Sequence, residues 1–207
     1  MKLKVCGMKH NIAEVAALSP DYLGFIFWDK SSRFFDGEIP TLPKEIKKVG
    51  VCVNAQIDMV LRTISNYGLD AIQLHGNESV EYCTELKAKV MPYIEIIKVF
   101  SIQGEFDFSA LEPYEKVCDY FLFDTKGKLP GGNGYTFDWS VLKKYPSTKP
   151  YFLSGGIGPQ STEEIHNFLK SPEAAYCHSF DVNSKFEESP GLKNIEKLKQ
   201  FKVALSI

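Results

Sequence analysis

The chain has 207 residues, of which 44% are apolar, 24% charged and 13% aromatic, and its formal net charge is -2. That composition is too apolar for a disordered chain and predicts a single globular domain over residues 1–207. The apolar runs fall far short of the roughly 20 residues of a bilayer span, and 24 basic against 26 acidic residues with no basic cluster exclude nucleic acid and membrane as expected partners.

Runs rich in β-branched and aromatic residues predict strands at 3–6, 22–27, 49–53, 71–74, 94–99, 120–123, 150–153 and 176–182. Several are apolar on consecutive residues, as in GFIF, GVCV and YFLF, the pattern of parallel strands buried on both faces. Helical spacing falls between them at 11–18, 55–67, 79–89, 138–144, 161–169 and 192–202, with short helices expected within 40–48 and around 110–116. Eight alternating β and α segments in about 200 to 250 residues predict an α/β fold, a single (βα)8 TIM barrel of eight parallel strands with its active site at the strands' C-terminal ends. The five cysteines are scattered, odd in number and never spaced as CxxC, and MKLKVCGMKH has no apolar signal core, so reduced thiols and a cytoplasmic location are expected.

Two glycine clusters stand out, Gly131-Gly132-Asn133-Gly134 after the sixth strand and Ser154-Gly155-Gly156 directly after the seventh. Glycine lets backbone N–H groups converge on an anion, and barrels of this kind bind phosphate in the loops after strands seven and eight. Cys6 closes the first strand beside a glycine, where a thiolate serves as general base if a nearby positive charge or helix end lowers its pKa from about 8.5. Asp124 holds the same place on the sixth strand; desolvated beside apolar walls, it could act as an acid. The opposing readings are an inert packing thiol and a plain turn aspartate. Arg33, among aromatics after the second strand, is either a solvated surface residue or a fork for a carboxylate. His75 ends the fourth strand in Gln73-Leu74-His75-Gly76 with no ligand partner at metal spacing, so no zinc site is expected.

With these residues stand Lys4-Val5-Cys6-Gly7, Gly50-Val51-Cys52-Val53-Asn54, Phe123-Asp124-Thr125, Thr136-Phe137-Asp138-Trp139 and Asp181-Val182-Asn183-Ser184 followed by Glu187 and Pro190-Gly191. In that order they resemble the phosphoribosylanthranilate isomerase family of tryptophan biosynthesis over essentially the whole chain. The resemblance implies a cofactor-free Amadori rearrangement of an aminoaldose to an aminoketose, with a phosphosugar as the only partner and a monomer expected over a homodimer. It implies Cys6 as the base that removes the C2′ proton and Asp124 as the acid that protonates the ring oxygen. It implies Arg33 for the anthranilate carboxylate, and Gln73, His75, Gly132, Gly134, Gly155, Gly156, Asp181 and Ser184 as further substrate contacts. Two positions depart from the family pattern: Cys52 stands where phenylalanine is common, and Lys185 where a glycine usually follows the last strand. A histidine-pathway isomerase is the nearest enzyme alternative, but it would carry Asp where this chain has Cys6. A non-catalytic phosphoribosyl-binding barrel would be free to lose the acid or the base.

Overall fold

A computed structural model describes residues 1–125 and 137–206. Eight parallel strands close in sequence order: β1 Lys2–Val5, β2 Tyr22–Ile26, β3 Lys47–Cys52, β4 Ala71–Leu74, β5 Glu95–Ile102, β6 Tyr120–Thr125, β7 Tyr151–Leu153 and β8 Cys177–Val182. Closure is made by β1 against β8, with Lys4 opposite Asp181 and Val5 opposite Val182. Each of the eight expected strands forms, with ends shifted by a few residues. Cys6 stands just past β1, yet its N–H still donates to the Val182 carbonyl at 2.8 Å, so the ladder runs through it.

Alternation along each strand divides the apolar residues into two cores. Outward residues such as Leu3, Val5, Leu23, Phe25, Phe121, Phe123 and Phe180 meet the surrounding helices in one large cluster. Inward residues Tyr22, Val49, Ala71, Ile97, Val99, Leu122 and Phe152 form a separate cluster that fills the barrel toward the strands' N-terminal ends. The next inward positions toward the C-terminal ends are Lys4 and Cys6, Gln73 and His75, Asp124, and Asp181.

The helical layer is thinner than the sequence predicts. The α-helices are α1 Ile12–Ala16, α2 Ile57–Tyr67, α3 Val80–Lys89, α4 Thr162–Leu169 and α5 Ile195–Leu205. No helix forms within 40–48, where Pro40 and Pro43 remove backbone donors. Phe35 fills that gap instead, buried with its ring 4.9 Å from Phe25 and 5.8 Å from Tyr67. The segments Phe108–Tyr114, which contains Pro113, and Trp139–Lys144 are 3-10 turns and not α-helices. The helix expected from residue 192 also starts late. Glu187–Ser189 (β9) and Leu192–Lys193 (β10) pair as an antiparallel hairpin, turned by Pro190 and by Gly191 at φ +85°. The Asn194 side chain then caps α5 by accepting the Lys197 N–H at 2.8 Å.

Candidate active site

Two buried polar networks meet at the C-terminal mouth of the barrel. The first begins at Lys4, which is fully buried. Its ammonium donates to Gln73 Oε1 at 2.7 Å and to Asp181 Oδ2 at 2.8 Å. Gln73 Nε2 lies 3.0 Å from His75 Nδ1, and His75 Nε2 stands 3.2 Å from Asp124 Oδ2 without the alignment of a hydrogen bond. Asp124 Oδ1 accepts the Thr125 N–H at 2.9 Å. Burial works against a charge on Lys4, but the Asp181 carboxylate and Cys6 outweigh it and raise its pKa, so it remains an ammonium. Asp181 Oδ1 is buried with no hydrogen-bond partner among the described residues.

The second network is carried by the β9–β10 hairpin. Glu187 accepts Arg33 Nε at 2.9 Å and Nη2 at 2.7 Å, a side-on fork. It also accepts the Lys193 ammonium at 2.7 Å, and Lys193 donates in addition to Asn183 Oδ1 at 2.8 Å. Asn183 and Arg33 crowd the turn after Cys6: a Cβ on Gly7, which sits at φ +72°, would come within 2.6 Å of Asn183 Oδ1 and 2.7 Å of Arg33 Cδ. Glycine is required there on both counts. Burial lowers Lys193, with Glu187 opposing, while Glu187 itself is held below the usual carboxylate range because Arg33 and Lys193 outweigh its own desolvation.

Cys6 lies between these networks. Burial pushes its thiol above the ordinary range, and the Lys4 and Lys193 ammonium groups only partly offset that rise. The condition set from the sequence, a thiol pulled low by a nearby positive charge, is therefore corrected. The positive charges are present, but the desolvation of a buried thiolate is larger.

Cys6, Arg33, Gln73, His75, Asp124, Gly155, Gly156, Asp181 and Ser184 all line one cleft of about 690 Å³, counted to its open mouth. Gly132 and Gly134 lie outside the described residues. The glycine pair after β7 has left-handed backbone, φ +92° at Gly155 and +69° at Gly156, and a Cβ on Gly155 would meet the Thr125 side chain and its amide nitrogen. Lys185 has no positive φ and falls in a 3-10 turn, Ser184–Phe186, so its Cβ brings no backbone strain. Lys185 does not line the cleft, whereas Ser184 and Asn183 do.

The sequence profile described as "N-(5'phosphoribosyl)anthranilate (PRA) isomerase" matches residues 3–203. The chain belongs to this family. It is 46% identical over 210 residues to the N-(5'-phosphoribosyl)anthranilate isomerase of Parabacteroides distasonis, covering 97% of this chain and 91% of that relative. The phosphoribosyl anthranilate isomerase structure from Thermus thermophilus superposes with a TM-score of 0.83 at 26% identity, covering 100% of this chain and 98% of that one. A phosphoribosyl anthranilate isomerase in complex with reduced 1-(o-carboxyphenylamino)-1-deoxyribulose 5-phosphate superposes with a TM-score of 0.79 at 26% identity and full coverage of both chains.

Lys4, Asn183, Glu187 and Ser154 stand within the motifs that carry the family resemblance but outside the expected site residues, and the structure adds them to the site together with Trp28 and Lys193. Lys4 had a usable signal, since a residue two before Cys6 on the same strand faces the same way. Lys193 had none, because only the hairpin turns it inward.

Proposed function

We propose that Cys6 and Asp124 are the base and acid of the isomerisation that converts N-(5′-phosphoribosyl)anthranilate to 1-(2-carboxyphenylamino)-1-deoxyribulose 5-phosphate in tryptophan biosynthesis. The observation that carries this reading is that both groups line one cleft together with the left-handed Gly155-Gly156 turn, Ser184 and Arg33. Asp124 gives its proton to the ribose ring oxygen as the C1′–O bond breaks, and the bond pair leaves with that oxygen. The resulting iminium nitrogen acidifies the C2′ hydrogen, which the Cys6 thiolate removes, and the enamine so formed tautomerises to the aminoketose. Positioned acid and base groups each contribute about 10²- to 10⁴-fold. Because burial pushes the thiol up, its thiolate depends on the Lys4 and Lys193 ammonium groups beside it.

Arg33 is assigned to the anthranilate carboxylate. Glu187 occupies its Nε and Nη2 edge, while Nη1, which has no hydrogen bond among the described residues, is assigned to the substrate carboxylate. The phosphate is assigned to backbone N–H groups of the Gly155-Gly156 turn and to Ser184. The five free thiols, all buried, favour a reducing compartment such as the cytoplasm. No helix among the described residues is long and apolar enough to cross a membrane.

The decisive experiment generates the phosphoribosyl adduct in situ from anthranilate and phosphoribosyl pyrophosphate and follows its fluorescence. The purified protein should accelerate the loss of signal by several orders of magnitude over buffer. Equal rates with and without it would overturn the reading.

A further inference from the structure

We propose that Gln73 is a positioning residue: held by Lys4, it fixes the tautomer of His75 so that an imidazole N–H faces Asp124 Oδ2 and steadies the carboxylate left when Asp124 gives up its proton. The proposal rests on the reading of Asp124 as the general acid.

The hydrogen positions follow from which groups can only donate. An ammonium has three donors and no acceptor. The Gln73 atom 2.7 Å from Lys4 Nζ must therefore be the carbonyl oxygen, which fixes the orientation of the amide. Its other end, the NH₂ group, is donor-only and lies 3.0 Å from His75 Nδ1. Nδ1 must then present its lone pair, and a neutral His75 carries its proton on Nε2. That N–H is buried, 3.2 Å from Asp124 Oδ2, and has no aligned acceptor among the described residues. A buried donor without a partner is unfavourable, and its position beside the acid is accounted for by use in another state of the site. As the proton leaves Asp124 for the ring oxygen, negative charge grows on Oδ2, and an N–H already on the nearer ring nitrogen needs only a small reorientation to donate to it without transferring its own proton.

Each polar end of Gln73 thus has a partner in the protein, which fixes the orientation of the amide whatever further contact its spare donor or acceptor makes. The charged groups facing His75 are Asp124 from β6 and Asp181 from β8, with Lys4 of β1 acting through the Gln73 amide. A chain of fixed donors from a buried ammonium to the acid sets the direction of each bond by elimination.

The test uses Gln73→Glu, which keeps an acceptor for Lys4 but turns the other end from donor to acceptor. Long-range ¹H–¹⁵N spectra of the imidazoles at pH 7.5 should show His75 as the Nε2–H tautomer in the wild type and as Nδ1–H in Gln73→Glu. In the same variant kcat should fall at least tenfold while KM changes less than threefold, since a misplaced catalytic group can cost about 10²-fold. His75→Gln, whose amide can again present an N–H toward Asp124, should recover more activity than His75→Leu. A wild-type His75 protonated on Nδ1, or a Gln73→Glu enzyme with unchanged kcat, would overturn the proposal. The wild-type spectrum needs no activity. Full kcat in Asp124→Asn would overturn the acid assignment while leaving the tautomer result standing, so the two failures are distinguishable.

Discussion

Toward the N-terminal ends of the strands the barrel is filled by Tyr22, Val49, Ala71, Ile97, Leu122 and Phe152, whereas toward their C-terminal ends its inward residues are Lys4, Gln73, His75, Asp124 and Asp181. The apolar end is joined by His178, whose Nε2 is 2.8 Å from the Tyr22 hydroxyl and whose ring lies 4.7 Å from Tyr120 and 5.3 Å from Phe152. Side chains at that end are interchangeable to the extent that volume is preserved, because dispersion and burial have no direction. At the polar end each group is fixed by donor and acceptor pairing, and removal of one leaves a buried partner unsatisfied. The lower half should therefore govern stability with little effect on chemistry, and the upper half the reverse.

The largest expected effect is at Cys6. Replacement by serine should lower kcat by at least 10²- to 10⁴-fold, with affinity for the reduced product analogue within a few-fold, measured by titration calorimetry. A variant that keeps more than about a tenth of wild-type kcat removes Cys6 from the base role. Asp124→Asn should fall by a similar factor, because the amide keeps the shape and loses the transferable proton; single-turnover kinetics would read this step directly.

Phe152→Ala attacks the other end. Truncating a fully buried ring costs about 3–5 kcal/mol, which corresponds to a fall in Tm of order 10 °C for a chain of this size. The kcat of the folded enzyme at 20 °C should stay within twofold. A loss of kcat as large as that of Cys6→Ser would break the separation between the two ends.

Arg33→Met is expected to reduce kcat/KM by about 2–4 kcal/mol through loss of a charge-assisted carboxylate contact. Glu187 keeps Lys193 and the Gly191 N–H as partners, so the fold should survive. A substrate analogue without the carboxylate should erase the difference between mutant and wild type, and an undiminished difference would reassign Arg33 to structure.

The smallest effect concerns pH at the lower end. Burial, with Lys2 and Lys47 nearby, lowers His178 from 6.5 to about 4. The unfolded chain therefore takes up a proton that the folded chain refuses, and the contribution is complete above pH 6.5 and lost as pH falls toward 4. His178→Gln should flatten the dependence of the unfolding free energy on pH across that window by on the order of 1–2 kcal/mol, measured by denaturant titration. An unchanged slope would place the acid sensitivity elsewhere.

The sequence on its own determined the eight strands and their parallel order, though not their exact ends. Consecutive apolar residues such as Phe121-Leu122-Phe123 can be buried on both faces only in a covered sheet, and the chemistry-bearing Cys6, His75 and Asp124 sit where such strands emerge. Local signals failed at residues 40–48, where prolines outweighed spacing, and at Leu192, where Pro190-Gly191 made a hairpin turn instead of a helix start. Only the tertiary structure decided what surrounds the reactive groups. Lys4 and Asp181 are 177 residues apart and meet because the barrel closes. Lys193 in isolation has the composition of a surface residue, yet the hairpin buries its ammonium against Glu187 and Asn183. Burial, through desolvation, also set the sign of the Cys6 shift, and desolvation is a property of everything packed around a group, which no local stretch of sequence carries.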